Sequence, residues 1–123
     1  IEVKEEARLA GWRDDIEATF SHGSWADIDA ALDAHGNQEF VQEVRALMAK
    51  GSPSATVATA ELYAANRSAA DLRAGLDNEE RLGELLRRQP DFLEGVRAVL
   101  IDKTQDAEFT PAHEPAVYRE VLR

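Results

Sequence analysis

Apolar residues in this sequence recur at steps of three and four, and each run is soon closed by a proline, a glycine or a Ser/Asp cap. Such steps keep side chains on one face of an α-helix, whereas a half-buried strand needs strict alternation. β-Branched residues are sparse while Ala, Leu, Glu and Arg abound, so intrinsic propensity points the same way. The pattern predicts an all-α chain, a single small helical domain of about six to seven helices.

Leu9, Trp12, Ile16 and Phe20 predict an amphipathic first helix over 4–19, ended by His22-Gly23. Ser24 with Asp27 resembles a capping box; Ile28 and Leu32 share the face that follows, and Gly36 is placed to close this second helix in the left-handed conformation. Phe40, Val44, Leu47 and Met48 form the stripe of a third helix, stopped at Gly51. Ser52-Pro53 opens a fourth, because proline at the first helical position gives up only an N–H that would be unpaired anyway. Val57 and Leu62 anchor it, and Asn66-Arg67 breaks it. Ser68 with Asp71 opens a fifth helix reaching to about Arg88, with Leu72, Leu76 and Leu86 on one stripe. Gly83 interrupts that stripe at a cost of about 1 kcal/mol relative to Ala, which predicts a neighbour packed close to its backbone. Pro90 ends this helix; Asp91 and Glu94 begin a sixth, with Phe92, Val96, Val99 and Leu100 on its buried side. A loop over 104–111 follows, and Pro115 restarts a short helix carrying Val117, Val121 and Leu122.

A length of 123 residues suits one small domain. No apolar run approaches the roughly 20 residues of a membrane-spanning helix, and the acidic first residues are unlike a cleavable signal. The first residue is Ile1 rather than Met, which reads as a piece of a longer protein, with the cytoplasm as default compartment. The absence of cysteine rules out disulfides, thiolate metal sites and cysteine nucleophiles. Acidic residues outnumber Lys plus Arg by 24 to 14, a net charge of -10, so neither nucleic acid nor an anionic membrane is an expected partner.

The inventory of chemical groups is thin. His22, His35 and His113 are widely spaced near helix ends or in a loop, with no metal-binding pair at helical spacing, so surface or capping roles are expected and no metal site. Glu79 and Glu80 are adjacent on a helix and point in different directions, with Arg81 next, which suits a solvated or ion-paired face better than an acid–base pair. No phosphate loop, dinucleotide fingerprint, nucleophile elbow or His-Glu-x-x-His motif occurs. Arg87 and Arg88 form a small basic cluster, and Lys103 follows a helix C-terminus, where the dipole favours a cation.

The run Asp-Phe-Leu-Glu-Gly-Val-Arg-Ala-Val-Leu-Ile-Asp-Lys at 91–103 resembles the C-terminal signature of the 3-hydroxyisobutyryl-CoA hydrolases, within the crotonase (enoyl-CoA hydratase/isomerase) superfamily. Phe109 and Pro111 resemble the aromatic and proline that follow it. Upstream, Phe20-Ser21, Ser52-Pro53-Ser54 with Thr59, and Glu79, Arg81 and Leu82 are similar to further family segments, in order, so the resemblance covers about 16–111. Thr56, Val57 and Glu80 depart from the family's usual Leu, Lys and Tyr, which leaves the substrate open.

The resemblance implies that this chain is the helical C-terminal part of a two-part acyl-CoA enzyme, whose ββα-spiral core, with its oxyanion hole and acidic catalytic residue, lies outside these residues. Fixed donors in such a core stabilise the oxyanion formed at a thioester carbonyl. By the same resemblance, Lys103 matches a lysine near the CoA phosphates and Leu100 a neighbouring apolar contact. Arg97 also matches the signature, either as a CoA contact or as a structural ion pair. No cofactor is implied: a coenzyme A thioester is the substrate, met through the core, and the helices self-associate or pack on that core. Hydration or isomerisation of an enoyl-CoA, and a non-catalytic helical oligomerisation module, stay open as alternatives.

Overall fold

The computed structural model describes residues 7–123, among which there are seven α-helices and no strand. The chain is therefore all-α. It divides into two compact units, Ile1–Ala49 and Lys50–Arg123, where length pointed simply to one domain.

In the first unit, a 3-10 turn over Arg8–Trp12 leads into α1 (Arg13–Phe20). The helix predicted over 4–19 thus begins as a 3-10 turn containing Gly11, a weak helix former, and its part at 4–6 lies outside the described residues. α2 (Trp25–Ala34) starts where predicted, with Ser24 Oγ accepting from the Asp27 N–H at 3.2 Å. Its end differs from expectation. His35, in extended conformation, caps it through a 3.3 Å bond from its N–H to the Leu32 carbonyl, and Gly36 does not adopt positive φ. α3 (Gln38–Met48) begins at Asn37, whose Oδ1 accepts from the Phe40 N–H at 3.3 Å.

Ile28, Leu32, Phe40 and Val41 form this unit's buried apolar set, with Trp12 and His35 edge-on to the Phe40 ring at 5.5 and 5.6 Å. The predicted stripes are buried only in part, since Leu9 and Leu47 are exposed. A polar cluster joins the helices: the Asp15 carboxylate contacts His35 Nε2 at 2.7 Å and accepts from Asn37 Nδ2 at 3.2 Å. The His35 bond is the main reason that Asp15 ionises below the usual carboxylate range.

The second unit contains α4 (Pro53–Arg67), α5 (Leu72–Arg87), α6 (Pro90–Val96) and α7 (Pro115–Arg119). α4 opens on Ser52-Pro53 as predicted, the serine Oγ accepting from the Ala55 N–H at 3.2 Å. α5 starts later than expected, at Asp71, whose Oδ1 accepts from the Ala74 N–H at 2.8 Å. Ala58, Leu82 and Tyr118 form the core between α4, α5 and α7, with Val57, Leu62, Leu85, Leu86, Val121 and Leu122 packed round them. The buried face of α5 is therefore Asn78, Leu82 and Leu85, while Leu72 and Leu76 are exposed. A polar residue at one position of that face hid it from the hydropathy pattern.

Asn78 is fully buried with its amide fully used. Its Nδ2 donates to Asn66 Oδ1 at 2.9 Å and to the Arg123 carbonyl at 3.0 Å; its Oδ1 accepts from Arg81 Nη2 at 2.7 Å and from the Arg123 N–H at 2.8 Å. Arg81 also donates to the Val121 carbonyl at 2.8 Å, and Arg119 forks onto the buried Glu61 at 3.0 and 3.1 Å. These bonds hold the C-terminal segment on α4 and α5. Gly83 contradicts expectation: among the described residues, a Cβ built there meets nothing within 4 Å, so no close neighbour explains the glycine.

Candidate functional site

The signature run forms α6 and the turn after it. Gln89 precedes α6 without a side-chain cap bond, and Asp91, expected to open the helix, does something else. Its carboxylate is buried and accepts from Ser52 Oγ at 2.6 Å, from the Thr110 N–H at 2.9 Å and from Thr110 Oγ1 at 3.0 Å. Burial pushes its pKa up, but the Ser52 and Thr110 bonds together outweigh that and leave it lowered. One carboxylate thus ties the start of α4 and the end of the 102–110 loop to α6.

α6 then widens into a π-helical turn over Arg97–Ile101, closed by the Asp102 N–H on the Arg97 carbonyl at 2.7 Å. The Gln105 N–H reaches back to the Ala98 carbonyl at 3.1 Å. Lys103 and Gln105 both have φ 57°, the left-handed region, which costs a non-glycine residue about 1 kcal/mol. Side chains hold this arch down. Arg97 bonds Glu94 at 2.9 and 2.7 Å, Asp102 at 2.7 Å and Asp106 at 3.2 Å, and Glu94 also accepts from the Glu108 N–H at 2.9 Å. Thr104 Oγ1 donates to Asp106, and the Phe109 ring lies 3.8 Å from where a Cβ on Gly95 would be.

The Arg97 bond, followed by that from the Glu108 N–H, lowers the Glu94 pKa from 4.5 to about 2. Because the folded value lies below the unfolded one, this contribution to stability is present above about pH 4.5 and is lost as pH falls through about 2.

Beside the arch lies an open apolar groove of about 490 Å³, lined by Phe92, Gly95, Val96, Val99, Leu100 and Phe109, with Ser52, Gln89 and Asp91 among its polar lining. Among the described residues, the side-chain oxygen of Gln89 is buried without a hydrogen-bond partner, an acceptor left over in the groove wall. Phe92, Val99 and Leu100, expected on a buried side, are instead exposed. Helical spacing marks them as one face, but no element of the second unit covers that face.

Of the three residues singled out, Leu100 lines the groove, Arg97 is held by three carboxylates, and Lys103 is exposed on the arch with no ion pair among the described residues. Chain connectivity places them within seven residues of one another, on the π turn and the arch that follows it. The Arg87-Arg88 cluster is compensated, since both side chains reach Glu84, at 2.8 and 3.3 Å. His22, His113, Glu79 and Glu80 are exposed, whereas His35 is half-buried against Asp15. Among the described residues there is no group of three or more His, Asp or Glu placed to hold a metal ion, and no helix long and apolar enough to cross a membrane. Sequence reasoning missed the clamp role of Asp91, the π turn and the orphaned Gln89 oxygen; only the Phe109 position carried a signal, as the aromatic following the signature.

Within the crotonase superfamily, the chain is a member of the enoyl-CoA hydratase/isomerase family, whose profile matches residues 1–123. It is similar to proteins named mitochondrial 3-hydroxyisobutyryl-CoA hydrolase: 30% identical over 97 residues in Dictyostelium discoideum, 33% over 103 in Xenopus tropicalis and 31% over 109 in Homo sapiens. The alignments cover 79%, 84% and 89% of this chain but only 26%, 26% and 28% of the respective relatives, so the chain spans about a quarter of their length. No solved structure matches it.

Proposed function

We propose that this chain is the helical C-terminal part of an acyl-CoA thioester hydrolase, with 3-hydroxyisobutyryl-CoA as substrate and the catalytic groups in a core outside these residues. The observation that carries the reading is the similarity to three hydrolases of that name over 79–89% of the chain. The exposed apolar groove supports a covering role, because a large apolar face rimmed by polar groups marks a surface that meets something else. In this reading the groove packs on the protein's own catalytic core, Leu100 lies against the coenzyme A moiety and the ammonium of Lys103 meets its phosphates. Arg97, already held by three carboxylates, serves the arch rather than the phosphate directly. Coenzyme A enters as part of the substrate.

The test is to express the intact protein that contains these residues and to follow thiol release from 3-hydroxyisobutyryl-CoA beside hydration of a short enoyl-CoA. Thiol release from the hydroxyacyl ester, with no turnover by the 123-residue chain alone, is the expected result. Turnover of the enoyl ester only would instead support a hydratase or isomerase, which the family's general description favours.

A further inference from the structure

We infer that Arg97 is the positioning residue for Lys103: its guanidinium builds the arch that presents the lysine and offsets part of the negative charge of the carboxylates around it. This rests on the reading that Lys103 meets a phosphate of the coenzyme A moiety. Lys103 has no ion pair among the described residues to fix it, and its backbone sits at φ 57°, a conformation a lysine does not choose. Something must hold it there. The apolar contribution is small, since residues 102–106 are all exposed. What remains is a set of polar clamps, and Arg97 is their hub: it joins Glu94 on α6 to Asp102 and Asp106, which flank Lys103 on either side. Glu94 passes the restraint on to the Glu108 N–H at 2.9 Å.

The electrostatics run the same way. Three carboxylates converge on Arg97, whose single charge offsets one of the three, so without it a phosphate approaching Lys103 would meet a more negative site. Lysine could not substitute fully, because an ammonium lacks the planar fork that reaches all three at once.

The experiment uses the intact protein and compares an acyl-CoA with the matching acyl-pantetheine thioester, which lacks the nucleotide phosphates. Arg97→Gln is expected to raise KM for the acyl-CoA about tenfold, the scale of one charge-assisted hydrogen bond, with kcat and the pantetheine KM unchanged. Lys103→Ala should do the same, and the double variant should lose less than the product of the two single effects, since part of the Arg97 effect acts through Lys103. Arg97→Lys, which keeps the charge, should give an intermediate KM and tests the idea even if Arg97→Gln does not fold. Additive effects, equal losses on both thioesters, or a wild-type KM for Arg97→Lys overturn the inference while leaving the Lys103 reading in place. If Lys103→Ala itself leaves the acyl-CoA KM unchanged, the phosphate contact falls, and the inference falls with it.

Discussion

The two ends of the second unit start from similar sequence material and finish differently. Near α7, the apolar residues find partners within the chain: Tyr118 is 0% exposed against α4 and α5, and the buried Asn78 makes four hydrogen bonds, two of which bind the last residue. Along α6 and its π turn, Leu93 is 70%, Leu100 67% and Ile101 70% exposed, and what order there is comes from Asp91, Glu94 and Arg97. One end combines a buried apolar core with buried hydrogen bonds and the Arg119–Glu61 fork. The other is held by charge-assisted bonds and leaves its apolar face exposed.

If that contrast is real, substitutions should sort by end. Tyr118→Ala removes the largest buried side chain of the α7 end and is expected to lower stability by about 3–5 kcal/mol, read from the urea midpoint. A loss under about 1 kcal/mol, the scale of ordinary surface changes, would mean that α7 is not part of the cooperative core. Asn78→Ala should cost about 2–3 kcal/mol, because it strands the Arg123 N–H and one bond of Arg81 in a buried place; hydrogen exchange should show the final residues opening first. Gly83→Ala, in an exposed helix interior with nothing near the new methyl, is expected to raise stability by about 0.5–1 kcal/mol. Destabilisation there would reveal a neighbour for that face in solution. Leu100→Ser should change the stability of this chain by less than about 0.5 kcal/mol while reducing binding of an apolar dye to the groove. A loss comparable to that of Tyr118→Ala would show the α6 face to be buried and would erase the distinction between the ends.

The α4 boundary shows how much was legible. Ser52-Pro53 starts the helix because the serine oxygen and the proline ring act within one turn, where sequence neighbours are also spatial neighbours. The α2 start at Ser24 and the helical periodicity throughout follow for the same local reason. Asp91 marks the limit. Its spacing from Glu94 reads as a helix start, yet its partners are 39 and 19 residues away at Ser52 and Thr110, and no pattern in its own segment announces them.

The candidate site divides along the same line. Arg97, Leu100 and Lys103 could be named from the signature run, but the π turn, the left-handed arch and the convergence of three carboxylates on Arg97 could not. An apolar stripe specifies that a face avoids water, and capping residues specify where a helix begins, because both are short-range effects. Whether that face is buried, as at Leu82, or left open, as at Leu100, depends on which distant segment arrives to cover it, and that is decided by the competition among all the long-range contacts at once.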